Sequence, residues 1–319
     1  MKSHFIAALA ALVHTASGGT VLRFGCSSVT VERLDPLVNL GSNPSPHVYQ
    51  VIGGNAFASS IASTDVSQIA NCTSCTFSQD FSNYWTANLL NRDRYFKARN
   101  GTYKRVSQIP NRYLDGEVGG QTVYYTAPYY GSSVTALQAW IPYAHWPPRP
   151  TSTWRDYAME RNLLPLLQRS YNARISAAIT LRRVRITQST LFLCLRSSVL
   201  VGFEQQSDSL PSGTFETSRP CPATHPVKLP QLMFEVIWDT TTFNDASLRP
   251  TDGSQPFVFS QGDNSGYGQH GDYVFGWEGD ALQNAMSANC FGATCSALQT
   301  QTFDMANRCT VPTTVDEKR

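Results

Sequence analysis

The chain reads as an all-β protein, a β-sandwich or jelly-roll-like single domain with a few short helices, crosslinked by disulfides. Three observations predict this. Short β-branched and aromatic runs alternate with Gly, Pro and Asn turns at intervals of about eight to twelve residues. Aromatic residues make up 11% of the 319 positions and charged residues 15%, against about a quarter charged in ordinary globular chains. The eight cysteines (26, 72, 75, 194, 221, 290, 295 and 309) all lie beyond an apolar N-terminal stretch, and an even number in that position suggests a disulfide framework.

The N-terminal stretch has the parts of a secretory signal peptide: Lys2, the apolar run Phe5–Val13, and small residues at Ala16, Ser17, Gly18 and Gly19. Residues 1–18 are assigned to it, and residues 19–310 to one β-rich domain. Within that domain 171–212 stands out as aberrant, and 311–319 is a polar tail. No apolar run near the tail marks a lipid anchor. A secreted, extracellular monomer without a membrane span is expected. A formal charge of +2 gives no footprint for nucleic acid.

In chain order, Thr20–Phe24 and Val29–Leu34 read as two strands, and Pro36 holds Asp35 extended. His47–Ile52 alternates and stops at Gly53-Gly54. Ser59–Ile69 has room for one short helix capped by Thr64 or Asp65. Asn83–Leu90, Tyr95–Ala98 and Thr102–Val106 read as strands, the last two joined by a two-residue Asn100-Gly101 turn. Gln121–Ala127 is a strand, and Pro142–Pro150 is irregular. Trp154–Arg169 has helical spacing that Pro165 interrupts. Tyr171–Glu204 mixes Arg with Ile, Leu and Val, with little turn chemistry. Met233–Trp238, Pro256–Phe259 and Tyr273–Trp277 read as strands, and Ala281–Met286 as a helix.

The segment Gln255–Asp280 draws attention because its glycines let backbone approach a ligand closely. Asp263, His270 and Asp272 lie within it, with Tyr267, Tyr273 and Trp277.

The motifs Arg33-Leu34-Asp35-Pro36, His47–Gly54, Asn71-Cys72-Thr73-Ser74-Cys75, Tyr84-Trp85, Gly119–Tyr125, Cys221–Pro226 and Gly262–Asp272 stand in this order. Over roughly residues 20–130 and 213–310 they resemble the secreted fungal domain-of-unknown-function family DUF1996, often joined to WSC wall-binding modules. The resemblance implies an extracellular fungal protein acting at cell-wall or biomass polysaccharide, and it supplies no mechanism. Two departures are visible. The family's His-x-His is His47-Val48-Tyr49 here, and its Cys-Trp-Asp and second His segments are not seen between Leu195 and Pro220. A deleted or misassembled central part would account for both the loss and the basic-apolar run.

For chemistry, two carboxylates can flank a glycosidic bond at about 5–9.5 Å, one as acid and the other as base or nucleophile. Candidate catalytic residues are Asp35, His47, Asp263, His270 and Asp272, with Glu235 a further carboxylate. Candidate ligand-binding residues are Tyr49, Trp85, Tyr125, His225 and Tyr267. The blander readings are an Asx turn at Asp263, core rings for most of the aromatics, and structural histidines. No zinc-type spacing occurs, so no metal is assigned and the cofactor is unknown. Cys72-x-x-Cys75 lacks a βαβ context and reads as structural. Asn71 and Asn100 head glycosylation acceptors. Two hypotheses follow, a glycan-cleaving enzyme and a non-catalytic extracellular wall or stress-response module. Polysaccharide is the partner in both.

Overall fold

The computed structural model describes residues 20–37, 39–45, 48–61, 65–87, 94–106, 119–127, 134–136, 142–143, 184–189, 192–195, 209–213, 220–238, 240, 243, 245–252, 254, 256–258, 270–288 and 290–314. Its strands are β1 (Val21–Glu32), β2 (Tyr49–Gly53), β3 (Asn83–Ala87), β4 (Arg94–Lys97), β5 (Tyr103–Val106), β6 (Gly120–Thr126), β7 (Pro142–Tyr143) and β8 (Val184–Ser189). They continue with β9 (Phe192–Leu195), β10 (Ser209–Gly213), β11 (Val227–Lys228), β12 (Gln231–Trp238), β13 (Phe257–Val258), β14 (His270–Val274) and β15 (Phe291–Gly292). The α-helices are α1 (Val66–Ile69), α2 (Ala281–Ser287) and α3 (Phe303–Arg308). The all-β expectation holds.

The sheet is built on β1. Sequence patterning splits this stretch into two strands, but Gly25-Cys26-Ser27-Ser28 continues as strand because each half has its own partner. Val21–Ser27 pairs with β6 and Ser28–Glu32 with β2, both antiparallel, and a bulge separates Ser28 from Thr30. Bulges bend and twist the strand that carries them. The main sheet runs β7-β14-β3-β2-β1-β6-β12-β8, with β15 added parallel to the start of β1.

The sheet curls, so one face of each half closes on a shared core. Leu22, Phe24, Val123, Tyr125, Leu232 and Phe234 come from β1, β6 and β12; Ile52, Tyr84 and Tyr273 come from β2, β3 and β14. Tyr84 meets Phe234 edge-on at 5.6 Å, and Tyr125 meets Tyr273 at 6.4 Å. A fully buried ring contributes about 1.5–3 kcal/mol, so this interior sets the packing of the two halves.

Two satellite cores cover the outer faces. The β4–β5 hairpin and β13 bring Phe96, Val106 and Phe257 against Val236, Trp238 and Phe243. On the other half, Leu34, Phe57, Ile61 and Val66 pack on Tyr49, Val51, Trp85 and Val274. Disulfides tie in the covering loops. Cys75 bonds to Cys26 and Cys72 to Cys309, so the two cysteines of the Cys-x-x-Cys motif staple different elements. Cys290 bonds to Cys295, and Cys221 is also disulfide-bonded.

Several local expectations change in detail. The Asn100-Gly101 turn is a three-residue loop, with Gly101 N donating to Ala98 O and Gly101 at φ +82°; the left-handed glycine closes a type I turn rather than a two-residue turn. The helix in Ser59–Ile69 is confined to α1, where the Asp65 side chain accepts from Ser67 N. The aromatic strand starts at His270 and stops at Val274, because its pairing with β3 ends there. The basic-apolar run supplies β8, which pairs with β12 at the edge of the main sheet. At the start of the polar tail, Val311 N donates to Val29 O. The Trp154–Arg169 helix and the signal peptide lie outside the described residues.

Gly53 gives the sharpest test of this packing. Its φ is +103°, and a Cβ there would lie 1.7 Å from Ser82 O. Gly53→Ala is expected to abolish the yield of folded protein. Gly101→Ala, which has open space around it, is expected to cost about 1 kcal/mol. The yield of folded protein and thermal melts of the two variants check this.

Candidate active site

Side chains alternate across a strand, so residues paired directly across neighbouring antiparallel strands share a face. Asp272 is paired with Trp85, Trp85 with Val51, and Val51 with Thr30. One cross-strand row on the outer face therefore carries Asp272, Trp85 and Thr30. Among the described residues, both Asp272 carboxylate oxygens, the Trp85 indole Nε1 and the Thr30 hydroxyl have no hydrogen-bond partner. All three side chains are buried. A buried polar group left unpaired costs about 1–3 kcal/mol, and here three stand in a line.

The neighbouring row holds Tyr49, paired with Ala87 and Glu32. Asp35 reaches it from the loop after β1. The Tyr49 hydroxyl donates to Asp35 Oδ2 at 2.8 Å, and Leu37 N donates to Oδ1 at 3.1 Å. Two backbone bonds close this loop, Asn39 N to Asp35 O and Ser45 N to Arg33 O. Asp35 is wholly buried and Asp272 is 1% exposed.

Burial first, and the Asp35 charge second, hold the Asp272 carboxyl well above the usual carboxylate range. Burial, then the charges of Asp35 and Asp272, then the bond to Asp35 push the Tyr49 phenol up. The fold thus gathers Asp35, Tyr49 and Asp272 into one electrostatic cluster. One carboxyl is fully hydrogen-bonded, while its neighbour favours keeping its proton.

The other candidates are distributed differently. The backbone of His270 is paired with Ala87, two residues before Asp272 on β14. His225 is buried on another sheet, at the turn before β11, with Nδ1 2.9 Å from the Thr224 hydroxyl. Trp85 lies edge-on to Phe57 at 5.3 Å, entirely covered. Tyr125 faces the inner core, also entirely covered, so its ring lines no groove. His47, Asp263 and Tyr267 lie outside the described residues. Asn71 and Asn100 are both exposed. Among the described residues no group of three or more His, Cys, Asp or Glu is placed to hold a metal ion.

One buried acid escapes sequence reading altogether. Asp80 accepts from the Tyr84 hydroxyl at 2.7 Å and from Ser82 N at 3.1 Å. The chain continues through Tyr84 and Tyr125 hydroxyls 2.8 Å apart, on to Tyr273 at 2.8 Å, with Trp277 Nε1 donating to Tyr125 at 3.3 Å. Burial pushes Asp80 up to about 7, although the bonds from Ser82 and Tyr84 pull it down. Nothing in Ser78-Gln79-Asp80-Phe81-Ser82 sets this aspartate apart from an ordinary loop residue.

A family model described as "Domain of unknown function (DUF1996)" matches residues 35–141 and 194–277. No curated protein and no solved structure matches the chain. The matched regions contain Asp35, Tyr49, Trp85 and Asp272.

The carboxyls set a pH dependence. The Asp80 and Asp272 values lie above the ordinary 3.8 in the folded state. Their contribution is therefore full below about pH 4 and is lost as pH rises through the folded values, at up to about 1.4 kcal/mol per pH unit for each. For Asp80 the loss falls between pH 3.8 and about 7. Asp80→Asn is expected to flatten the stability profile in that window, and Asp272→Asn to flatten it above pH 4 and stabilise the protein at neutral pH. Denaturant unfolding at a series of pH values measures both.

Proposed function

Because the chain belongs to the DUF1996 family, defined by a domain of unknown function, its chemistry has to be read from its own residues, and we propose that it acts on extracellular polysaccharide through Asp35, Tyr49 and Asp272. The disulfides Cys26–Cys75, Cys72–Cys309 and Cys290–Cys295, and no helix among the described residues long and apolar enough to cross a membrane, fit an extracellular protein. Fungal wall or biomass polysaccharide is the setting that the resemblance implies.

The observation that carries the reading is the Asp272 carboxyl, buried, unpaired and beside a second carboxyl from a distant part of the chain. Environments that separate two carboxyls in this way assign acid and base roles. Asp272 is the proton donor to the leaving glycosidic oxygen, and Asp35 is the base or nucleophile. Tyr49 holds Asp35 in orientation through its hydrogen bond. His47, Asp263 and His270 are assigned to the proposed site from their sequence motifs alone, and Trp85 stands in the same cross-strand row as Asp272.

One observation favours the second reading, a non-catalytic wall or stress-response module. Both carboxyls are covered, so a polymer chain does not reach them in this conformation. Incubation of the purified protein with β-glucan, chitin and mannan, followed by reducing-end assay and pull-down, separates the two. New reducing ends that fall by about 100-fold or more in Asp272→Asn, in a variant at least as stable as the parent at neutral pH, are expected. Pull-down without new ends in either protein assigns the module.

A further inference from the structure

The β4–β5 hairpin is rich in positive charge. Arg94, Lys97, Arg99, Lys104 and Arg105 lie within Arg94–Val106, five of the 25 lysines and arginines, with no Asp or Glu among them. The whole chain nets only +2, so this charge is local to the hairpin. The hairpin is held rigidly from beneath. Phe96 stacks on Phe243 at 4.6 Å and meets Phe257 edge-on at 5.4 Å, and Arg99 N donates to Leu248 O at 2.9 Å. Between the hairpin and the turn at Ala246–Leu248 lies an open depression whose rim includes Arg99, Asn100, Thr102, Lys104 and Ser247.

The charges on this surface are unequally balanced. Asp252 stands near Lys97 and Asp245 near Arg249, and both carboxyls sit low chiefly because Ser254 and Ser247 backbone amides bond to them. Among the described residues, the side chains of Arg99 and Lys104 have no ion pair or hydrogen bond. Both are exposed and both line the depression. Two unneutralised cations on the rim of one depression, with the Asn100 and Thr102 side chains beside them, suit an anionic group carried on a hydroxyl-rich sugar chain.

We infer that the Arg99–Lys104 depression is a binding site for polyanionic polysaccharide, distinct from the Asp35–Asp272 cluster. The choice of a glycan rests on the extracellular reading above, whereas the attraction to polyanions rests on the hairpin alone. A nucleic acid is disfavoured because the chain as a whole nets only +2. A uronate carboxylate and a phosphodiester offer the same anionic chemistry, and the test below distinguishes them. Asn100 lies on the rim, so a glycan attached there stands over the site.

The test uses the full secreted chain carrying Thr102→Ala, which removes the Asn100 glycan acceptor and keeps every charge. Retention is measured on immobilised polygalacturonate, phosphorylated mannan and neutral laminarin. Binding to at least one polyanion is expected, released by salt on the order of 0.3 M as screening shortens the reach of the charges. Adding Arg99→Ala and Lys104→Ala is expected to weaken that binding about tenfold, with an unchanged thermal melt because both side chains are exposed. Retention on polygalacturonate alone, or on phosphorylated mannan alone, names the anionic group. Undiminished binding by the variant lacking both cations overturns the inference. So does equal retention on laminarin, or tighter binding to a single-stranded oligonucleotide than to either polyanion. Asp272→Asn leaves this retention intact, so loss of cleavage and loss of hairpin binding are read separately.

Discussion

The hydrogen-bonded contact of Tyr125 with Tyr84 and Tyr273 is the joint on which the architecture depends. Tyr125 comes from β6 in one half of the curled sheet; Tyr84 and Tyr273 come from β3 and β14 in the other. Pleating gives this joint its reach, because inward and outward side chains alternate along a strand. Fixing Tyr84 and Tyr273 inward forces their neighbours Trp85 and Asp272 outward. The same strands thus clamp the core with one face and present unpaired polar atoms on the other. A one-residue slip in register would exchange the two sets.

That arrangement opposes stability to chemistry. The fold satisfies Asp80 with Ser82 and Tyr84, and Asp35 with Tyr49 and Leu37. It leaves Asp272 without any such bond among the described residues. Equal burial with unequal satisfaction is what distinguishes a structural acid from a candidate proton donor. Asp80 belongs to a closed network that joins the sheet halves. Asp272 faces the Asp35 loop, which Leu34, Phe57 and Ile61 anchor against the sheet through apolar packing.

The hairpin follows a different logic. Its aromatic wedge, Phe96 against Phe243 and Phe257, is buried, while Lys97, Arg99 and Lys104 are exposed. The apolar wedge pays for the placement of like charges that would otherwise repel. The exposed charged surface and the buried acid cluster thus lie on different elements of the fold.

Local physics was legible in the amino-acid sequence. Strand alternation located the sheet segments to within a few residues, Asn100-Gly101 marked a hairpin, and Thr64 or Asp65 marked a helix start, of which Asp65 is the cap. The Asp-Pro and His-Gly-Asp motifs singled out Asp35 and Asp272. Their meeting could not be read, because it depends on a strand order that joins residues more than two hundred positions apart. Burial was equally hidden: Tyr125 and Trp85 have the composition of groove residues, and only the sheet curl places them under cover. Asp80 was invisible for the same reason, since an aspartate in a loop gains its raised pKa only when the aromatic core closes over it. Sequence by itself determined periodicity, turn chemistry and the cysteine count, which act over a few residues. Tertiary structure alone decided which cysteines pair, which acids meet and which lose water, because those outcomes arise from packing between distant segments.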